Sequence, residues 1–270
     1  MRMTFLGTGT AWSKAPGNYN NNVLVSTADQ RWLIDCGTTA PLALHHMGLS
    51  VADFDGVLIT HLHGDHVFGL EETGFYNYFA LGRKVKLWLP ELLLTRYSGI
   101  DGEDLWENCL RGPMGTVQML DGSPREVGLH DYFDVELLVA NQPTLIHGTK
   151  VEIIAVDHVP SKPSFGLILN DTVAYTSDCT FSLERISRLL DAGVTTLFHD
   201  AYFGPPFAGR VHTSVEELLT LPRDLAECLV LMHYNDDASA EERQRVIDAG
   251  FRLAIKGEAH DFSAVSSAEP

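Results

Sequence analysis

The segment Thr60-His61-Leu62-His63-Gly64-Asp65-His66 constrains this chain more than any other. It places three imidazoles and a carboxylate directly behind the apolar run Gly56-Val57-Leu58-Ile59. A short run of that kind reads as a buried strand, and Gly64 as the turn that ends it. On an extended segment His61 and His63 project to the same side, while Asp65 and His66, beyond the turn, aim at a second point nearby. Imidazole nitrogen and carboxylate oxygen are the ligands that Zn²⁺ and similar divalent ions take. The segment therefore predicts a two-metal site.

His-Leu-His-Gly-Asp-His resembles the His-x-His-x-Asp-His signature of the metallo-β-lactamase-fold hydrolases, and Phe5-Leu6-Gly7-Thr8-Gly9 resembles the opening strand and glycine turn of that superfamily. The resemblance implies an α/β fold, an αββα sandwich of two mixed β-sheets flanked by helices. It is expected to fill residues 1–262 as one hydrolase domain, with 263–270 as a disordered C-terminal tail. The pattern of the second half agrees. Val151–Val156, Val173–Thr176, Thr195–Phe198 and Leu229–Met232 are apolar runs, each ending near a polar side chain, with a helical pattern over 182–192 between them. No internal repeat is visible.

Composition limits the partners. A chain of 270 residues, 45% hydrophobic and 20% charged, is that of an ordinary globular protein with a sizeable core. No stretch is long and apolar enough for a membrane span, and the start lacks a signal-peptide pattern, so the expectation is a cytoplasmic protein. Cys36, Cys109, Cys179 and Cys228 show no paired spacing and are read as reduced thiols. The net charge of −17, with Lys and Arg scattered, disfavours a long polyanion and favours a small-molecule partner.

The resemblance extends the ligand set. His158 ends a strand before Pro160-Ser161-Lys162-Pro163 and resembles the family's third-motif histidine. The alternative, His147 before Gly148, is read as a surface loop residue. Asp178 is similar to the family's bridging aspartate and His233 to its final histidine. These positions imply His61, His63, His158 and Asp178 on one ion, and Asp65, His66, Asp178 and His233 on another. Two zinc ions, or manganese, are the expected cofactors. A water shared by two such ions is ionised near neutral pH and serves as the nucleophile. Asp35 resembles a carboxylate beneath the metals that orients a histidine, or else is a turn aspartate.

Phe198-His199-Asp200-Ala201-Tyr202 and Gly209-Arg210-Val211-His212-Thr213-Ser214 resemble two segments of the tRNase Z and small-phosphodiesterase branch. There the histidine protonates the leaving oxygen with help from an acidic partner. The resemblance thus gives His212 as general acid and Asp200 as its orienter, with Asp65 the third catalytic group. A histidine beside a helix cap is the alternative for His212. Many tRNase Z enzymes carry a long arm between the third-motif histidine and the bridging aspartate, but here 20 residues separate His158 from Asp178. The reading is a dinuclear phosphodiesterase acting on a small cyclic phosphodiester, a 3′,5′-cyclic nucleotide. It resembles the phage enzymes of anti-Pycsar type that destroy cyclic-nucleotide immune signals. The alternatives are a tRNase Z-like endoribonuclease, a lactonase or thioesterase of the same fold, and a non-catalytic nucleotide-sequestering protein.

Three other segments complete the expectations. Phe68, Phe75, Tyr76, Tyr78 and Phe79 form an aromatic stripe suited to core, pocket wall or homodimer contact. Asn18–Asn22 reads as a polar loop. Residues 91 to about 131 read as an irregular insertion with a short exposed helix near 103–107.

Overall fold

A computed structural model describes residues 1–95, 102–119, 121–204 and 207–263. The expected αββα sandwich of two mixed sheets is present. In spatial order the first sheet runs β16 (Ala259–Asp261), β1 (Arg2–Phe5), β2 (Val23–Ser26), β3 (Arg31–Ile34), β4 (Gly56–Leu58), β5 (Val85–Pro90) and β8 (Phe133–Leu138). The second runs β9 (Thr144–Ile146), β10 (Thr149–Ala155), β11 (Phe165–Leu169), β12 (Val173–Tyr175), β13 (Thr196–Asp200), β14 (Leu229–Met232) and β15 (Arg252–Leu253). A small hairpin, β6 (Thr116–Gln118) with β7 (Pro124–Glu126), lies apart.

Both sheets repeat one order of pairing. Antiparallel contacts join β16-β1-β2-β3 and then parallel ones join β3-β4-β5-β8. Likewise β9-β10-β11-β12 are antiparallel and β12-β13-β14-β15 parallel. No residue pattern announces this repeat.

Alternation along the strands sorts the core into layers. Phe198, Val230, Met232 and Tyr175 point inward to a cluster shared with Phe5, Trp32, Ile34 and Leu58 of the first sheet. Their neighbours Leu197, Leu229, Leu231 and Ala174 point outward. There they meet Ile186 and Leu189 of the helix Leu183–Asp191, and Val246 of the helix Ala240–Asp248. Each fully buried large apolar side chain contributes about 1.5–3 kcal/mol. Ser182 caps the first of these helices and Ser239 the second, so each begins where its sequence supplies a capping oxygen. None of the described helices is long and apolar enough to cross a membrane. The four cysteines are unpaired.

Three expectations need correction, and one that was open is narrowed. The aromatic stripe faces solvent more than core: Phe68, Tyr76 and Phe79 are 55%, 45% and 51% exposed. Leu70, Thr73, Gly74 and Asn77 take the inner face of the helix Leu70–Phe75 and of the wider turn Tyr76–Ala80 that continues it. The insertion is neither irregular nor exposed in its middle, because Leu105, Trp106, Leu110 and Met114 are buried along a helical stretch over Trp106–Met114. The polar loop is a buried one: Asn20, Asn21 and Asn22 are nearly inaccessible and each is hydrogen-bonded, with Asn21 Oδ1 alone among their buried side-chain atoms left without a partner. Finally, His147 is half-buried. It sits with Gly148 in the tight turn of the β9–β10 hairpin, both at positive φ, with its ring edge-on to Trp88 at 5.3 Å. The expected tail lies, apart from Ser263, outside the described residues.

Candidate metal centre and active site

The first-sheet ligands share one turn. β4 ends at Leu58, the backbone passes Thr60, and the four-residue helix Gly64–Val67 closes behind it. The turn packs so tightly on Gly37 that a Cβ there would fall 1.7 Å from the Asp65 carbonyl oxygen. Asn22 clamps the same point: its Oδ1 accepts from Gly37 N at 2.8 Å and its Nδ2 donates to Asp65 O at 3.1 Å. Sequence reasoning passed over Asn22, whose only signal was three consecutive asparagines.

The second-sheet residues come singly from strand ends: His158 beyond β10, Asp178 beyond β12, Asp200 at the end of β13 and His233 beyond β14. All the predicted ligands converge. One group is His61, His63, His158 and Asp178; a second is Asp65, His66, Asp178 and His233. In the first, His63 Nδ1 lies 3.0 Å from His61 Nε2 and 3.2 Å from His158 Nε2. Asp178 Oδ2 is 3.7 and 3.8 Å from His61 and His158 Nε2. In the second, His233 Nε2 is 3.4 Å from both Asp65 Oδ2 and Asp178 Oδ2, and His66 Nε2 is 3.5 and 3.4 Å from the same two atoms. A tetrahedral ion with bonds of 2.0–2.1 Å has ligand-to-ligand edges of about 3.3 Å. His66 Nε2 and Asp178 Oδ1 are buried without a hydrogen-bond partner. The donor set therefore fits two divalent ions sharing Asp178. His147 belongs to neither group.

The outer nitrogens fix which ring atom faces inward. His66 Nδ1 donates to Asp35 Oδ2 at 2.7 Å, and His158 Nδ1 to the Val211 carbonyl at 2.8 Å. Asp35 is fully buried; Thr60 N and Thr60 Oγ1 also donate to it, each at 2.8 Å. Asp35 thus sits beneath the site, as the resemblance implied, instead of in a plain turn. Thr60 Oγ1 lies 2.8 Å from Ser177 Oγ, so this chain of polar groups crosses between the sheets. Asp35, Ser177 and His233 all have positive φ, at 62°, 54° and 54°. Such backbone costs roughly 1–3 kcal/mol per residue and persists where packing over-determines it.

Charge is balanced locally. Burial opposes ionisation of Asp178, but His233, His66 and His61 outweigh it and hold the carboxyl well below its ordinary range. Burial likewise opposes charge on His233, yet Asp178, Asp200 and Asp65 raise it to about 10. The same balance, with Asp178 the largest attraction, holds His66 well above its ordinary value. These carboxylates demand positive charge at the centre, which a divalent ion supplies.

His212 sits at the margin. Its Nδ1 is 2.9 Å from Asp200 Oδ2, an oxygen that also accepts from Cys179 N at 3.0 Å. The ring stacks on His233, centroids 5.0 Å apart and planes 26° apart. Burial lowers the affinity of His212 for a proton, but Asp200 more than compensates and the net shift is upward. His199, the neighbour of Asp200, faces the other way. It is fully buried and held neutral, its pKa lowered by burial to about 4. Ser214 caps the short helix Val215–Leu218 two residues later, so His212 is both beside a cap and beside the candidate ligand groups.

The family described as "Anti-Pycsar protein Apyc1" matches residues 1–256 of this chain. The chain belongs to that family. An Apyc1 protein of Paenibacillus sp. (strain J14) is 43% identical over 239 residues, covering 88% of this chain and 90% of that one. An Apyc1 protein of Bacillus phage 010DV004 is 39% identical over 251 residues, again 88% and 90% of the two chains. Among solved structures, the metallo-β-lactamase fold protein YhfI from Bacillus subtilis superposes with a TM-score of 0.71 at 14% identity, covering 96% of this chain and 98% of that one. This member of the family thus has the metallo-β-lactamase fold, with its His/Asp clusters where the strands of both sheets end.

Proposed function

We propose that this protein is a metal-dependent hydrolase, specifically a phosphodiesterase that opens a small cyclic phosphodiester, a 3′,5′-cyclic nucleotide. The observation that carries the reading is the His212–Asp200 pair, 2.9 Å apart and stacked against a metal-group histidine. A lactonase or β-lactamase has no need of a phosphate-directed acid there. The relatives called anti-Pycsar proteins support the cyclic-nucleotide class. The short link from His158 to Asp178 is filled by β11 and β12, which argues against a tRNA-sized substrate.

His61, His63, His158 and Asp178 would hold one divalent ion and Asp65, His66, Asp178 and His233 a second; such ions would supply an ionised water near neutral pH and offset charge on the phosphoryl oxygens. Asp35 and Val211 keep the proton of His66 and His158 on Nδ1, so Nε2 stays a lone-pair donor. Asp200 engages His212 Nδ1 and leaves the transferable proton on Nε2. His212 then protonates the ribose oxygen as the P–O bond breaks.

A panel of 3′,5′- and 2′,3′-cyclic nucleotides with pre-tRNA, assayed alongside metal content, tests the reading. Cyclic 3′,5′-nucleotides are expected to be hydrolysed and pre-tRNA to survive; the reverse result overturns it. General acid catalysis is typically worth 10²–10⁴-fold, and His212→Ala should lose that on a cyclic nucleotide. Bis(p-nitrophenyl) phosphate, whose nitrophenolate leaves without a proton, should be far less affected, with metal content unchanged. Equal losses on both substrates would remove the proton-transfer role.

A homodimer is proposed with it. The exposed aromatic surface of Phe68, Tyr76 and Phe79 with Leu81 is the apolar face a second copy would cover. Light scattering should give twice the chain mass, and Phe79→Glu should halve it. A wild type that is monomeric at assay concentration removes this part.

A further inference from the structure

A cavity of about 1000 Å³ opens beside the metal groups and contains none of their ligands. Its wall begins one residue beyond His233, at Tyr234, and two beyond Asp200, at Tyr202. Adjacent Cα atoms are about 3.8 Å apart, so two segments of the cavity lining start within about 8 Å of Asp200 and His233. Backbone bonds tie that wall together: Tyr234 N donates to Thr8 O at 3.0 Å, and Tyr202 N to Thr213 O at 2.6 Å. The loop after β1 forms the opposite side and presents Trp12, an indole 82% exposed. The other three tryptophans, Trp32, Trp88 and Trp106, are 0%, 3% and 5% exposed. Solvating an indole forgoes its burial energy, which makes Trp12 the exception among the four tryptophans.

The charged lining is mixed: Lys14, Arg243 and Lys256 stand with Asp236 and Asp237, and the Asp236 carboxylate accepts from Lys14 N and Asn18 Nδ2. Lys256 Nζ donates to the Pro16 and Gly17 carbonyls at 2.7 Å each, and Arg243 lies over the Tyr234 ring at 5.5 Å. Among the described residues neither cation is in an ion pair, nor is Lys14 on the rim. Two buried polar atoms of the lining, Arg243 Nε and Ser13 Oγ, have no hydrogen-bond partner. An exposed indole with both donors and acceptors around one volume suits a planar ring that carries both, as a nucleobase does.

We infer that this cavity is the base-binding subsite and that Trp12 is the stacking platform that holds the nucleobase while its phosphate lies at the metals. The inference rests on the cyclic-nucleotide reading of the site and adds to it a specificity residue on the same chain. A base on an aromatic side chain is held by its π-face, and loss of the platform weakens binding by about tenfold.

Because Trp12 is the one solvated indole, its fluorescence reports the subsite without turnover. The intact, metal-loaded protein is titrated with cytidine 5′-monophosphate and, as a base-free control, with ribose 5-phosphate. Quenching by the nucleotide alone is expected, and it should vanish in Trp12→Ala. In kinetics, Trp12→Ala should raise KM for a cyclic nucleotide about tenfold, with kcat on it and turnover of bis(p-nitrophenyl) phosphate unchanged. Trp12→Phe, which keeps an aromatic face, should restore KM. Nucleotide quenching without cyclic-nucleotide turnover would sink the proposed reaction and leave the subsite standing. Cyclic-nucleotide turnover with no quenching and an unchanged KM in Trp12→Ala overturns the subsite and leaves the reaction standing.

Discussion

The two sheets pair their strands in the same order, yet they furnish the metal centre in opposite ways. The first delivers His61, His63, Asp65 and His66 from one turn after β4. The second delivers His158, Asp178 and His233 from the ends of three different strands. A ligand set on one turn needs only that turn to fold. One spread over β10, β12 and β14 depends on the register of the whole sheet, since a slip of one residue would turn each side chain to the other face. Metal-binding precision is therefore local in the first half and collective in the second. The polar chain from Asp35 through Thr60 to Ser177 is where the two are joined.

The sharpest way to break this comparison is Asp178→Ala. Asp178 is the one residue common to both ligand groups, and it comes from the collective side. Its loss should empty one or both ion positions and remove several kcal/mol of charge stabilisation, about a thousandfold in rate. Metal analysis and phosphodiester turnover read both. A variant that keeps two ions and full rate would show that the turn of the first sheet suffices alone.

The same contrast explains what could be read from the sequence. The His61–His66 segment is legible because four donors lie together, and no other local structure gives them a shared purpose. His158, Asp178, His212 and His233 are isolated letters, found through resemblance to a family and not through spacing. The layers were legible because apolar runs such as Val57–Ile59 and Leu229–Met232 are strongly patterned. The helix over Trp106–Met114 was not, since Gly112, Pro113 and Gly115 disguise a segment that buries Trp106 and Met114. The outward face of Phe68 and Phe79 stayed one alternative of three, because apolar character says nothing of which side the core takes; Gly74 packs where only a small residue fits, a Cβ there coming within 2.7 Å of Met114. Asn22 was invisible because its partners are backbone atoms, which no side-chain pattern records.

Asp35→Asn sharpens the comparison at the junction. Asp35 Oδ1 accepts from Thr60 N, and Oδ2 from Thr60 Oγ1 and His66 Nδ1. An amide group puts a donor against a donor whichever way it is turned. The Thr60 hydroxyl can rotate away; His66 can relieve the clash only by moving its proton to Nε2, which faces the metal position. Loss of such an outer partner typically costs 10–100-fold in metal affinity, and competition with a chromophoric chelator measures it. The ion on the Asp65–His66–His233 side should be weakened and the other spared. Equal weakening of both ions would mean that the junction holds the whole site and not one histidine.

The smallest expected effect tests how self-contained the first-sheet turn is. Asn22→Ala removes the amide that bridges Gly37 N and Asp65 O, both deep in the structure. The Gly37 N–H is then left buried and unpaired, at about 1–3 kcal/mol. That loss should appear as a lower urea midpoint with an unchanged slope, because the surface exposed on unfolding does not change. Metal affinity should fall little, since His61 and His66 keep Thr60 and Asp35 as partners. If affinity falls as far as in Asp35→Asn while stability holds, the turn is not a self-supporting unit. The two sheets would then build the centre in the same collective way.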